Sequence, residues 1–262
     1  MTTISVVINT LNEQNNIRDC IQSVRGFADE IIVCDMHSDD NTVRIAKAMG
    51  ATVLFFRRTG FVEPARYSAI NKAKGKWVLV LDADERLNDH LATKLRSIVQ
   101  QDAERIVEFR IRPWFFGGWI EHGSYFHDTH PRFFGKSIYE KYHTRDSEKI
   151  HSPLFENVPT ELIVRLPRQF YADHYAYPTI DKFIVKTMAH YSSIEADQRF
   201  QGGQEFSALD ILLDPPKQFV LSFLVRKGYR DGFRGFVVTC LYCFYRFIIF
   251  AKLWHKTVDQ AT

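Results

Sequence analysis

The sequence has few cysteines and little net charge, and each shortage excludes a class of function. The four cysteines are Cys20, Cys34, Cys240 and Cys243. Cys20 and Cys34 fall on a predicted helix and a predicted strand, where buried free thiols are expected. Cys240-x-x-Cys243 has no second ligand pair, so neither a zinc site nor a redox centre is predicted there. The net charge of +3 is too small to indicate nucleic-acid binding.

Two glycine-rich loops are also missing, and no signal peptide is expected. No Gly-x-Gly-x-x-Gly follows the first predicted strand, which argues against a dinucleotide oxidoreductase. No Gly-Lys-Ser/Thr loop occurs anywhere, which argues against a P-loop enzyme. The charge of any bound diphosphate would have to be met by a metal and side chains instead. The chain enters a strand directly at its N-terminus, so we expect a reducing, cytoplasmic setting.

Short apolar runs alternate with amphipathic helices over the first hundred residues. This alternation predicts a mostly parallel sheet with right-handed crossovers and helices on both faces, a Rossmann-like α/β fold. A hydrophobic content of 45% fits an ordinary folded protein. The predicted strands cover residues 4–10, 30–35, 52–56 and 77–81, and the predicted helices begin near residues 17, 42, 64 and 88.

Polar side chains follow three of these strands, at the edge where open α/β sheets bind ligands. Carboxylates there could accept hydrogen bonds from a base edge or from ribose hydroxyls. Asp82 and Asp84 end the fourth strand, and alternation points both side chains the same way. Two aligned carboxylates repel unless a cation lies beside them, and oxygen ligands suit Mg²⁺ or Mn²⁺. The alternative is that they only cap the helix beginning near Asn88. The other polar residues are Thr10, Asn12, Glu13 and Asp35.

Four motifs in the first hundred residues resemble those of inverting family 2 glycosyltransferases of the GT-A fold. They occur in the expected order and spacing, and the last is the Asp-x-Asp motif. The motifs are residues 5–13 (SVVINTLNE), 28–35 (ADEIIVCD), 38–42 (SDDNT) and 82–85 (DADE).

The resemblance implies a nucleoside diphosphate sugar donor, with a UDP-sugar favoured. Glu13 and Asp35 match residues that hold the nucleoside, and Asp84 matches the ligand of the divalent ion, Mg²⁺ or Mn²⁺. Arg66 matches a basic residue found near the diphosphate, although it also fits a solvated helix face. The full set expected at the donor is Thr10, Asn12, Glu13, Asp35, Asp40, Arg66 and Asp82, with the metal on Asp84.

The region after residue 101 is rich in aromatic, histidine and charged residues, which suits sugar recognition. It is similar to the acceptor half of lipopolysaccharide-core β-1,4-glucosyltransferases. The matching segments are residues 118–122 (GWIEH), Asp128, residues 132–134 (RFF) and residues 174–177 (HYAY). The resemblance implies acceptor-binding roles for His122, Arg132, His151 and His174.

Inverting transfer needs a carboxylate that deprotonates the acceptor hydroxyl. Asp128 is our first candidate for this general base, with Glu121 and Glu156 behind it. The subgroup carries a glutamate where this chain has Ser152, which leaves the base open.

The C-terminal segment combines apolar residues with basic flanks. Residues 181–201 read as a helix, and Pro215-Pro216 should break the chain. From residue 219 to 254 apolar residues dominate, but the uninterrupted part is too short to span a bilayer. A helix lying in the interface of an anionic inner leaflet fits this composition, and a buried helix packed on the catalytic domain is the alternative. We therefore expect a donor-binding half (residues 1–102), an acceptor half (103–180) and a helical extension (181–262).

Taken together, the residues predict a peripheral membrane glycosyltransferase that acts at the cytoplasmic face on a lipopolysaccharide-core or lipid-linked saccharide. Two alternatives remain at this point. One is a nucleotidyltransferase that makes the sugar nucleotide, which would need a glycine-rich basic loop after the first strand. The other is a non-catalytic module that binds a sugar nucleotide or a membrane.

Overall fold

The computed structural model describes residues 3–101, 103–144 and 153–259. The strands are β1 (Ile4–Thr10), β2 (Glu30–Asp35), β3 (Thr52–Phe55), β4 (Trp77–Asp82), β5 (Glu85–Arg86), β6 (Ile106–Phe115), β7 (Gly118–Trp119), β8 (Thr129–Gly135), β9 (Ile163–Arg165) and β10 (Tyr171–Tyr177). The α-helices are α1 (Ile17–Val24), α2 (Thr42–Ala48), α3 (Glu63–Lys72), α4 (Asp89–Val99), α5 (Lys136–Tyr142), α6 (Ile180–Phe183), α7 (Ser192–Gln201), α8 (Ala208–Phe219) and α9 (Gly232–Asp259).

The chain folds into two compact units. The first contains Met1–Ile111 and Thr129–His174, and the second contains Arg112–Asp128 and Tyr175–Thr262. The division by function into residues 1–102, 103–180 and 181–262 follows different boundaries and stays a prediction.

The sheet of the first unit is parallel where the sequence predicts it. Strands β3, β2, β1 and β4 are neighbours in that order and run parallel. Beyond β4 the sheet becomes mixed, because β8 pairs antiparallel with both β4 and β6. The α/β expectation is confirmed, and the antiparallel strands belong to the part of the chain where the regular alternation stops.

Helices cover both faces of this sheet, because successive side chains of a strand point to opposite sides. Val6 and Ile8 pack in a core with Ile21 of α1 and Leu95 of α4. Val7, between them in β1, packs in a separate core with Ala65, Ala69 and Ile70 of α3 and with Val80 of β4. The fully buried strand β1 therefore contributes side chains to two cores.

The second unit has its own aromatic core, which includes Phe115, Tyr177, Phe183 and Val238. The expected break at Pro215-Pro216 is wrong, since both prolines lie inside α8. The helix continues into a π-helical segment, Val220–Val225.

The C-terminal stretch Gly228–Asp259 is long and apolar enough to cross a membrane, judged by length and composition only. The prediction concerned the uninterrupted apolar run, whereas the whole helix, with its interruptions included, is long enough. One-third of its most apolar window is buried inside the protein. A core helix of a soluble protein meets the same criterion, so the stretch alone does not establish a span.

Candidate active site

Three adjacent parallel strands bring their polar ends together at one edge of the sheet. Thr10 at the end of β1 is in register with Asp35 at the end of β2. Asn9, one residue earlier in β1, is in register with Asp82 at the end of β4. The carboxyl ends that the sequence pattern singles out are therefore neighbours in the sheet.

The loops that follow β1 and β2 are joined by side chain to backbone hydrogen bonds. Asn12 donates its N–H to Ser38 Oγ (2.8 Å), and its Oδ1 accepts from the Asp39 N–H (2.7 Å). The Glu13 N–H donates to Thr42 Oγ1 at 2.8 Å. Asp40 accepts from the backbone N–H of Gln14 (3.0 Å) and of Thr42 (2.9 Å). Burial opposes ionisation of Asp40, but these bonds and the Thr42 hydroxyl lower its pKa.

Asp35 is fully buried and organises the start of its loop. Its carboxylate accepts from the Ser38 N–H (2.8 Å) and from the Ser38 hydroxyl. Next to it, the Thr10 hydroxyl and the side-chain amide of Asn9 are buried without a hydrogen-bond partner among the described residues. Buried polar atoms normally have partners, so each of these groups can take one from a ligand or from water.

Asp82 is held by two arginines. Arg66 Nη2 donates to both carboxylate oxygens, at 3.0 and 3.2 Å. Arg132 Nη2 lies 3.4 Å from Asp82 Oδ2. Burial by itself would raise the pKa of Asp82, but Arg66 and Arg132 outweigh it and lower the pKa to about 2. Arg66 therefore lies on the site side of α3, and the alternative of a solvated helix face is wrong.

Glu85 is a buried member of this cluster that the sequence reasoning did not single out. It accepts from Arg132 Nη2 (3.0 Å) and from the Asp82 backbone N–H (2.9 Å). Burial raises the pKa of Glu85, and Arg132 opposes that rise. Its position directly after Asp82-Ala83-Asp84 in the sequence could have indicated that Glu85 belongs to the site.

Asp84 lies opposite a histidine from a distant part of the chain. His174 Nε2 is 3.4 Å from Asp84 Oδ1, and Asp84 is buried. Antiparallel pairing of β10 with β5, which puts His174 opposite Glu85, fixes this position. The cap of α4 is the side chain of Asn88, which accepts from the Leu91 N–H at 3.0 Å. The alternative that the Asp-x-Asp motif caps this helix is therefore wrong.

The remaining predicted residues have other neighbours. In the second unit, His122 Nδ1 lies 2.9 Å from Asp231 Oδ1, and exposed Asp128 lies 2.7 Å from His127 Nδ1. Among the secondary candidates for the base, Glu121 pairs with Arg112 at 3.2 Å in the second unit. Glu156 accepts from the Thr144 hydroxyl in the first unit. His151 and Ser152 lie outside the described residues.

Comparison with known proteins gives the family. The model of "Glycosyl transferase family 2" matches residues 5–159, more than half of the chain. An uncharacterized glycosyltransferase of Rickettsia bellii is 31% identical over 95% of this chain and 85% of the relative. The lipopolysaccharide core biosynthesis glycosyltransferase LpsC of Rhizobium meliloti is 26% identical over 98% of this chain and 94% of its own length. The chain belongs to glycosyl transferase family 2.

The fold agrees with this family. S. aureus TarS 1–349 superposes on 99% of this chain and 92% of its own, with a TM-score of 0.53 and 14% sequence identity. Family 2 membership identifies the chain as a glycosyltransferase with a GT-A fold. This family assignment decides against the two alternatives, a nucleotidyltransferase and a non-catalytic module.

Proposed function

We propose that this family 2 enzyme transfers a hexose, with inversion, from a nucleoside diphosphate sugar to a saccharide acceptor in a metal-dependent reaction. The observation that carries the proposal is the pair formed by Asp84 and His174. Two residues before Asp84, the Asp82 carboxylate is held by two arginines. A buried cluster of alternating charge at the carboxyl ends of parallel strands is suited to a diphosphate and its counter-ion.

The donor set fits a divalent ion that is shared with phosphates. Asp84 offers a carboxylate oxygen and His174 an imidazole nitrogen, both ligands that Mn²⁺ accepts. In residues 3–101, 103–144 and 153–259, no group of three or more His, Cys, Asp or Glu side chains could hold a metal alone. Two protein ligands leave positions for phosphate oxygens, as is usual for Mg²⁺ sites. Held by Asp84 and His174, such an ion would supply positive charge for a diphosphate leaving group.

Arg66 and Arg132 would complete the diphosphate site. Arg66 Nε and Arg132 Nη1 are buried and have no hydrogen-bond partner among the described residues. Each guanidinium therefore retains a donor for a phosphate oxygen, in addition to the bonds that orient it on Asp82. We accordingly move Arg132 and His174 from the acceptor group, where the sequence placed them, to the donor site.

The two joined loops would hold the nucleoside. Glu13 and Asp35 supply carboxylate oxygens for base or ribose groups, and Thr10 supplies a hydroxyl without a protein partner among the described residues. Asn12 and Asp40 act indirectly, because their hydrogen bonds fix the loops to each other. The sequence resemblance favours uridine as the nucleoside.

We infer that Asp128 accepts the proton of the attacking hydroxyl. Its carboxylate is exposed, and a carboxylate of this kind can act as a general base once the acceptor is bound. His122 is held on Asp231 by its ring and its backbone N–H, and we assign it and His151 to acceptor binding. The name of the relative LpsC supports a lipopolysaccharide-core acceptor.

The proposal is tested by mass spectrometry of products. The purified enzyme is incubated with Mn²⁺, one nucleoside diphosphate hexose at a time and a lipopolysaccharide-core oligosaccharide. We expect one donor to add a single hexose to the acceptor and release its nucleoside diphosphate, and we expect chelation of the metal to stop both. Equal transfer after chelation would contradict the metal requirement.

We also propose that the second unit binds the inner surface of the cell membrane peripherally, which places the enzyme in the cytoplasm. Helices α8 and α9 carry exposed apolar side chains, and several of their charged side chains bind partners within the second unit. Arg246 binds Asp214 at 2.8 Å, and Lys252 Nζ lies 2.7 Å from the hydroxyls of Ser192 and Ser193. The exposed residues, here called the apolar face, are Leu209, Leu212, Leu213, Phe233, Phe236, Phe244 and Phe247.

Positive charge borders the apolar face. Lys227 and Arg230 are exposed in the turn before α9, where Phe233 is 80% exposed. Asp231, the acidic residue of this turn, is turned inward to His122. Exposed apolar rings beside lysine and arginine match a surface of anionic lipid.

The membrane proposal predicts co-sedimentation with phosphatidylglycerol vesicles and much weaker binding to phosphatidylcholine vesicles. Lys227→Glu/Arg230→Glu should weaken binding about tenfold, because each cation near an anionic surface contributes on the order of 1 kcal/mol. Phe233→Ser should also weaken it, whereas Phe55→Ser, an exposed phenylalanine of the first unit, should not. Binding that ignores both salt and Lys227→Glu/Arg230→Glu would contradict peripheral electrostatic docking and favour a spanning helix.

A further inference from the structure

A second aromatic cluster in the second unit is only partly buried, unlike the aromatic core. Alternation along β6 places Phe115 in the core, where it is fully buried, and Trp114 on the opposite, partly exposed face. The core around Phe115 already contains the rings of Tyr177 and Phe183. Trp114 therefore belongs to a different group of rings, which lies outside this core.

The three rings of this group lie in mutual contact. Trp114 and Trp119 face each other across the β6–β7 pair, with ring centroids 4.9 Å apart and planes at 78°. The ring of Tyr175 lies 5.4 Å from Trp119 and 6.3 Å from Trp114. Tyr175 is 39% exposed. We call Trp114, Trp119 and Tyr175 the aromatic platform.

Two charged side chains border the platform. The Arg112 guanidinium lies over the Trp119 ring, 4.2 Å from its centroid. Arg112 Nη1 also donates to Glu121 Oε1 at 3.2 Å, and half of the Glu121 side chain is exposed. The group thus offers aromatic faces, a carboxylate that accepts hydrogen bonds and a guanidinium that donates them, all within one short segment and β10.

We propose that the aromatic platform is a binding subsite for the acceptor saccharide, a role that rests on the proposed glycosyl transfer. A pyranose has a face of C–H groups, which packs against the electron-rich face of an indole or phenol ring. Its hydroxyls lie around the rim of the ring, where Glu121 accepts hydrogen bonds and Arg112 donates them. A few placed polar groups beside apolar rings are the usual composition of a small-molecule site.

Tryptophan fluorescence tests the platform directly, because the chain has four tryptophans and two are in it. Trp77 is fully buried on Phe133, and Trp254 lies in α9. The probe is the oligosaccharide released by mild acid from a rough-type lipopolysaccharide. We expect a saturable change in the emission of the wild-type protein. Trp254→Phe should retain the same dissociation constant.

Substitutions in the platform separate stacking from folding. Trp119→Ala should weaken oligosaccharide binding about tenfold, whereas Trp119→Phe should retain most of it because an aromatic face remains. Tyr175→Ala, at an exposed position, provides a second variant if Trp119→Ala fails to fold. No saturable change in the wild type, or unchanged affinity in Trp119→Ala and Tyr175→Ala, would overturn the proposal.

A measurement of nucleotide binding distinguishes a failure of the platform proposal from a failure of the donor-site proposal. The same variants are heated with UDP and Mn²⁺, and we expect the shift in melting temperature seen in the wild type. In the transfer assay the KM for the acceptor should rise while the KM for the donor stays the same. A wild-type protein that does not bind UDP would count against the proposed function. Binding of the nucleotide but not of the oligosaccharide by the wild-type protein would count against the platform.

Discussion

Replacement of Asp84 by asparagine is expected to reduce hexose transfer at least about a hundredfold and to leave the fold intact. Removal of one group that stabilises developing charge typically costs this much. Asp84 is buried 3.4 Å from His174 and does not cap α4, so the amide removes the charge of the side chain while it keeps its size. The measurement is the rate of nucleoside diphosphate release at saturating Mn²⁺.

Asp89→Asn is the matched control for this prediction. Asp89 is an exposed aspartate in the first turn of α4, five residues farther along the chain. The same change of charge at that position should alter transfer less than twofold. Full activity of Asp84→Asn at saturating metal would show that Asp84 is not the metal ligand, and equal losses in both variants would point to a general electrostatic effect.

Replacement of Arg132 by alanine is expected to lower the free energy of unfolding at pH 7 by about 3–5 kcal/mol. Arg132 is mostly buried, and it binds Glu85 at 3.0 Å and Asp82 at 3.4 Å. Removing one partner of a buried ion pair leaves an uncompensated charge, which accounts for a loss of this size. Urea unfolding of the wild type and the variant measures this difference in the free energy of unfolding.

The stability deficit of Arg132→Ala should narrow as the pH falls from 7 to 3. In the wild type, Asp82 has a folded pKa of about 2, below its ordinary value of 3.8, so its contribution is lost as the pH falls through the folded pKa. Without Arg132 the folded pKa of Asp82 is higher, so the variant loses less stability than the wild type over the same fall in pH. The pKa of Glu85, already raised by burial, also rises further, so its protonation in acid stabilises the folded variant.

Arg165→Ala is the control for the arginine prediction. Arg165 also binds a carboxylate, Glu108, at 2.8 Å, but its side chain is 70% exposed. Exposed pairs contribute less than about 1 kcal/mol, so the stability of this variant should stay near that of the wild type. A loss in Arg132→Ala that is equally small, or a deficit that does not narrow in acid, would contradict the buried charge cluster.

The sequence predicts the first half of the fold well because local patterns determine it. The apolar run of β1 must be buried on both faces, and such strands belong to parallel sheets with helices on each side. Once β1, β2 and β4 are parallel neighbours, the positions of Thr10, Asp35 and Asp82 at one edge follow from the register.

The partners of these residues could not be predicted from local pattern. Arg132 lies 50 residues after Asp82, and Asp231 lies 109 residues after His122. Such contacts depend on how distant strands and turns pack, and no periodicity in either segment carries that information. The continuation of α8 through Pro215-Pro216 was missed for a related reason, because the packing of α8 on α9 outweighs the local preference of proline.

The most direct test of the donor site is thermal stabilisation of the purified protein by a panel of nucleoside diphosphates, each with and without Mn²⁺. A ligand that binds only the folded protein raises its melting temperature. We predict a shift with one diphosphate, UDP, that requires Mn²⁺ and disappears in Asp84→Asn. A shift of equal size without metal, or one that survives in Asp84→Asn, would contradict a metal-assisted diphosphate site at Asp84 and His174.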